Sequence, residues 1–264
     1  VYPELFELQK NPNFNISNLE EFTHSKPFGI YLIENKFYYL GEEDPSNFIK
    51  LLHILEKRPE RYIIIYVQNK SDSKKEAHAN IIILDTIIKG GYYFEPHGIK
   101  IYFLNQAKQN ELGKLFKDAG YDFYFPNEYY YRPEYLEHFG FQNMDSADSV
   151  LLKSAKAGKL DAEGYCFYWC MYFINMVIKH PHLPINNLFK QLFLLLGRLG
   201  KKDFHRHIRT YAQRQEKAAK ERYADCYEQS LTGLSGSAWG DMYIKRNDCK
   251  KKMFLEYYKV FNYK

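Results

Sequence analysis

The chain has 264 residues, 45% hydrophobic and 18% aromatic, enough for one sizeable core or two small ones and too apolar for disorder over most of its length. A formal charge of +5, from 37 basic against 32 acidic residues, is too modest to argue by itself for nucleic-acid binding. Four cysteines, Cys166, Cys170, Cys226 and Cys249, form no CxxC pair and no disulfide framework, which points to a reducing, cytoplasmic compartment.

In chain order, VYPELFELQK lacks both a charged leader with an apolar stretch and an initiator Met, and so reads as a cut or processed end. Runs rich in Ile, Tyr and Phe predict strands at FGIYLI, KFYYL, RYIIIYVQ, HANIIILD and YYFE, with YDFYF as a further candidate. ENK reads as the turn of a hairpin between the first two. TIIKGG joins the fourth and fifth, where Gly90 and Gly91 are expected to supply turn flexibility. Helices are predicted at DPSNFIKLLHILEKR, with Asp44 capping and Pro45 in the first turn, and at NQAKQNELGKLFKDAG, closed by Gly120.

FPNEYYYRPEYLEHFGFQ is aromatic, polar and irregular, and reads as a surface-lining loop or short helix along a substrate groove. Three more helices follow at YCFYWCMYFINMVIKH, PINNLFKQLFLLLGRLG and KKDFHRHIRTYAQRQEKAAKERYADCYEQ. SLTGLSGSAWG is a Gly/Ser loop, and the remainder is read as a terminal helix. Strands crowd the first half and helices the second. This predicts an α+β fold, a central mixed or antiparallel sheet flanked by helices. The apolar run CFYWCMYFINMVI is too short to span a bilayer, so a soluble protein with no membrane partner is expected.

Three residues stand where nucleophilic chemistry needs them. A thiol becomes nucleophilic as a thiolate, which a helix N-terminus and a nearby imidazole both favour. The imidazole in turn needs a third group to orient it. Cys166 opens an apolar helix after Gly164. His78 starts a strand and Glu95 ends the next, seventeen residues later, so antiparallel pairing would bring those two ends together.

HANIIILDTIIKGGYYFEPHG resembles the His-to-Glu block of adenain, the adenovirus thiol protease, which ends in a similar Phe-Glu-Pro-x-Gly motif. GYCFYWCMYF is similar to that family's nucleophile block. The order His, acid, Cys is shared with the Ulp-type ubiquitin-like-protein proteases, whose Gly-Tyr-Asp-Cys-Gly signature EGYC resembles with one residue missing. The likeness is closer to thiol proteases of large DNA viruses, through His-Ala-Asn, Phe-Glu-Pro-His-Gly and Gly-Tyr-Cys. It extends downstream to HPHLPINNLFKQL and FHRHIRTYA, and covers roughly residues 60 to 212.

The resemblance implies an adenain/Ulp-like cysteine protease fold over a single domain. Residues 1–60 would be an N-terminal extension, 61–212 the catalytic core and 213–264 a helical tail. It makes Cys166 the nucleophile, His78 the general base and Glu95 the orienting acid, with no cofactor. Ulp-type enzymes carry Trp after the histidine, where this chain has Ala79. Their oxyanion-hole Gln precedes the nucleophile, where this chain has KLDAEG, with Asp161 the nearest equivalent. Gln142 in FGFQ is preferred for that role, because an amide N–H donates to an oxyanion and a carboxylate repels it.

The implied substrate is a protein cleaved after glycine: ubiquitin or a ubiquitin-like protein first, a viral precursor protein second. An effector-type acetyltransferase and a non-enzymatic binding module are the rivals. The implied location is host cytosol or virion. Taken singly, His78 and Glu95 read as ordinary strand-end residues, and Cys170, one helical turn after Cys166, as packing. His97 is a rival base given a supporting or surface role. A zinc site from Cys166, Cys170, His180 and His182 is discounted, since His180 would lie about 21 Å from Cys166 along a continuous helix. The basic stretches KKDFHRHIR and RQEKAAKER read as a solvated helix face, with an acidic partner or nucleic acid as the weaker reading.

Overall fold

The computed structural model describes residues 29–33, 35–39, 43–57, 59–70, 77–98, 104–130, 140–142, 165–199 and 201–222. Six strands form one sheet in the order β2-β1-β3-β4-β5-β6: β1 (Gly29–Ile33), β2 (Lys36–Tyr39), β3 (Tyr62–Lys70), β4 (Ala77–Asp85), β5 (Gly90–Phe94) and β6 (Asp122–Tyr124). β1 is antiparallel to β2 and parallel to β3, and β3 is antiparallel to β4. The sheet is therefore mixed. With six helices beside it in the chain order, α1 (Ser46–Leu55), α2 (Gln106–Asp118), α3 (Pro126–Tyr129), α4 (Cys166–Lys179), α5 (Ile185–Gly197) and α6 (Lys201–Arg222), the described architecture is α+β.

These residues group into two compact units. The described parts of Val1–Gly91 and Gln106–Phe123 make the first, and those of Tyr92–Asn105 and Tyr124–Tyr243 the second. In the first, Ile33 pairs with Lys36, and Asn35 between them takes a φ of 60°, a left-handed conformation that Asn tolerates in tight hairpins. The carboxylate of Asp44 accepts the Ser46 N–H at 3.0 Å and so caps the start of α1. Phe48, Leu51, Leu52 and Leu55 form the helix's buried stripe. α2 ends as its sequence predicts: Gly120 has φ +86°, and the Tyr121 N–H returns to the Phe116 carbonyl at 2.9 Å.

The β4–β5 connection differs from expectation. Gly90 and Gly91 lie inside β5, and the left-handed residue of the turn is Lys89, with φ 54°. Asp85 organises this turn. One carboxylate oxygen accepts the Ile87 N–H at 3.1 Å, and the other receives two bonds from Arg61 at 2.7 and 3.0 Å. Gly91 is required for packing instead: a Cβ there would stand 2.7 Å from the Phe123 ring and 3.0 Å from Leu84.

The second unit is built on aromatic packing. Phe94, at the end of β5, stacks on Phe173 of α4 at 4.3 Å and touches Tyr130, Phe141 and Phe189. α4 is buried over most of its circumference, including Tyr168, Trp169, Cys170, Tyr172 and Phe173, as expected of a central helix. α6 covers one side of it: Phe204 stacks on Trp169, His207 and Tyr211 meet Tyr172 edge-on, and Asn175 donates to the Tyr211 hydroxyl. No helix among the described residues is long and apolar enough to cross a membrane.

Candidate active site

His78 belongs to the first unit. It is the second residue of β4, 5% exposed, and directly opposite Asn69 of β3. β4 is buried on both faces from residue 78 to Asp85. In such a strand every position would ordinarily be apolar. His78 and Asn80, two residues apart on one face, interrupt that pattern, and Asn69 faces His78 from the neighbouring strand. A buried polar group costs free energy unless its hydrogen bonds are made, so three of them in register mark a place where packing alone does not set the sequence. Asn80 is the last residue of the His-Ala-Asn step, whereas nothing in the sequence marks Asn69. The signal was present in HAN, a polar-x-polar step at the head of an Ile run.

The other described candidates belong to the second unit. Glu95 is the first residue beyond β5 and is 1% exposed. Pro96 restricts it to extended backbone. One carboxylate oxygen of Glu95 accepts the His97 N–H at 2.9 Å, and its carbonyl accepts the Gly98 N–H at 3.0 Å, closing a turn in which Gly98 has φ +103°. The Tyr130 hydroxyl holds the same residue twice, accepting from the Glu95 N–H at 2.7 Å and donating to the Glu95 carbonyl at 2.9 Å. Tyr129 donates to the Tyr93 carbonyl at 2.8 Å. The stretch expected to line a groove is thus corrected at these two residues: both are buried, and both brace the end of β5.

The turn also fixes Gln142. The Gln142 N–H donates to the Pro96 carbonyl at 2.9 Å and the Gly140 N–H to the His97 carbonyl at 3.1 Å. The backbones approach so closely that a Cβ at Gly140 would fall 2.2 Å from the Gly98 nitrogen and 2.3 Å from the Pro96 oxygen. The side-chain carbonyl of Gln142 is buried without a partner among the described residues. Asp161, the other oxyanion candidate, lies outside the described residues.

Cys166 is the first residue of α4 and is 6% exposed. The first helical hydrogen bond runs from the Trp169 N–H to the Tyr165 carbonyl, so the N–H groups of Cys166, Phe167 and Tyr168 stand at the positive end of the helix. Arg209 of α6 lies 4.5 Å over the ring of Tyr165, the residue before the thiol. Cys170 is fully buried. Burial, and then the negative charges of Cys166 and Glu95, push its thiol well above the ordinary range. Glu95 and the two cysteines therefore share one neighbourhood, and within it Cys170 is held neutral. α4 runs unbroken from Cys166 to Lys179, which leaves His180 and His182 at its opposite end.

No protein-family model, no curated protein and no solved structure matches the chain.

Proposed function

We propose that the chain is a cysteine-type peptidase with an adenain/Ulp-like fold, hydrolysing peptide or isopeptide bonds after glycine. Cys166 is the nucleophile, His78 the base, Glu95 the orienting acid and Gln142 an oxyanion donor, without a cofactor. The observation that carries this reading is the position of Cys166 at the N-terminus of a central helix, in the unit that also buries Glu95 at a strand end. A buried carboxylate braced by backbone and tyrosine contacts is suited to fixing an imidazole, and a helix N-terminus to stabilising a thiolate.

His78 takes the Cys166 proton, and the sulfur forms a bond to the substrate carbonyl carbon. The carbonyl electron pair moves onto oxygen, where the Cys166 N–H and the Gln142 amide stabilise it. As the tetrahedral intermediate collapses, the carbon–nitrogen bond breaks and His78 protonates the departing amine. Water, deprotonated by His78, then attacks the thioester, and the thiol leaves with the proton returned.

Ubiquitin or a ubiquitin-like protein is the first substrate class, from the resemblance to enzymes that cleave after glycine, and a cytosolic location goes with it. Reaction with ubiquitin and SUMO bearing C-terminal electrophiles tests this, with mass spectrometry of the adduct. A thioether on Cys166, absent in His78→Ala, is expected. No adduct with either probe, while cleavage of a glycine-containing viral precursor peptide proceeds, would move the substrate to precursor proteins. Neither reaction in a folded protein would refute the peptidase.

A further inference from the structure

The double contact between Tyr130 and Glu95 points beyond scaffolding, and we infer that Tyr130 is a positioning residue acting through Glu95. The inference rests on the peptidase reading above. Glu95 stands just past the last paired residue of β5, with its N–H and carbonyl facing the same way, as in any extended residue. One hydroxyl satisfies both groups, at 2.7 and 2.9 Å, in place of a neighbouring strand. Tyr130 is itself held, its ring stacked on Phe189 at 3.8 Å and set edge-on to Tyr129. The fulcrum is therefore rigid.

Without that hydroxyl, the buried Glu95 N–H loses the acceptor it meets at 2.7 Å and the Glu95 carbonyl is left with the Gly98 N–H, so the turn must shift to recover the lost bond. The carboxylate moves with its backbone. A group that orients an imidazole is sensitive to displacements well below 1 Å, whereas global stability is less so. Tyr129 supplies the comparison, its hydroxyl lying beside that of Tyr130 but bonded to a different residue. Its hydroxyl is equally buried and also bonded to a β5 carbonyl, but at Tyr93, two residues upstream.

The probe is iodoacetamide, with peptide mapping to quantify labelling at Cys166 as a function of pH. In the full chain, Glu95→Gln is expected to move the acid limb of the labelling profile upward. Tyr130→Phe should move it in the same direction, with a fall of about threefold or more at pH 6, equivalent to roughly half a pKa unit. The double variant should match Glu95→Gln alone. Tyr129→Phe should lower the melting temperature and move the limb less than Tyr130→Phe, because it removes no bond to Glu95 itself. If Glu95→Gln moves the limb and Tyr130→Phe does not, Tyr130 is structural only and the inference fails by itself. If neither moves it, the role given to Glu95 fails and takes the inference with it. Should Tyr130→Phe not fold, 4-aminophenylalanine at 130 keeps the ring and a donor to the Glu95 carbonyl but is a poor acceptor for the Glu95 N–H, so the limb should still rise. An unchanged limb there overturns the proposal equally.

Discussion

Cys166 and Cys170 differ by one helical turn and by almost everything that governs thiol chemistry. Cys170 is buried, and the charges of Cys166 and Glu95 add to the cost of its ionising, so it stays a thiol. Cys166 stands at the helix N-terminus. Cys166→Ala should abolish turnover, while Cys170→Ala should retain most activity and lose stability, about 1–3 kcal/mol for a small buried cavity. Electrophile labelling and thermal melts of the two variants distinguish them, and equal loss of activity in both folded variants would point to another nucleophile. At Gln142 the expectation is a split between two assays. Gln142→Ala should lower kcat by about 10²–10³, the usual cost of one oxyanion donor. Its iodoacetamide labelling should persist, because alkylation develops no oxyanion. Matching losses in both assays would mean that Gln142 supports the fold and not the reaction.

At the scale of elements, β-branched and aromatic runs located the six described strands, and apolar spacing with caps located the longer described helices; the expected terminal helix lies outside the described residues. Chemistry that depends on approach was less legible. Nothing in TIIKGG tells a flexible glycine from one that a phenylalanine ring requires: Gly91 is fixed by Phe123, a residue 32 positions away. Tyr129 and Tyr130 read as exposed because they sit among charged residues, yet each hydroxyl finds a carbonyl at the end of β5, a partner more than thirty positions distant. Cys166, His78 and Glu95 stood out by residue type and spacing, whereas Asn69 needed the strand register to stand opposite His78.

The contact between α4 and α6 carries a pH dependence of its own. His207 meets Tyr172 edge-on, and its Nε2 is buried without a partner among the described residues. Burial, and then the positive charge of Arg214, lower its pKa. The sign follows. The unfolded chain binds a proton near the ordinary histidine value of about 6.5, where the folded chain still resists it. Stability contributed by neutral His207 is present above that value and is lost as pH falls through the folded pKa. The melting temperature should therefore drop between pH 7.5 and 5.5, and His207→Gln should flatten part of that slope. An unchanged slope would mean that protonated His207 finds water without disturbing α6.

The molecule as a whole holds many of its 25 tyrosines away from water, and that has an optical consequence. Burial pushes the phenols of Tyr31, Tyr39, Tyr121, Tyr129, Tyr130 and Tyr211 up, Tyr129 and Tyr130 far above the ordinary value. Each is a proton the folded chain keeps and the unfolded chain gives up near pH 10, so stability falls as pH rises beyond that point. In a titration followed at the tyrosinate absorption band, exposed phenols should ionise smoothly and reversibly around pH 10. The buried class should appear later, in one steep step coincident with loss of the far-ultraviolet circular dichroism. Tyr130→Phe should move that step to lower pH. The hydroxyl that ties down Glu95 is thus also an internal indicator, silent for as long as the end of β5 keeps its hold.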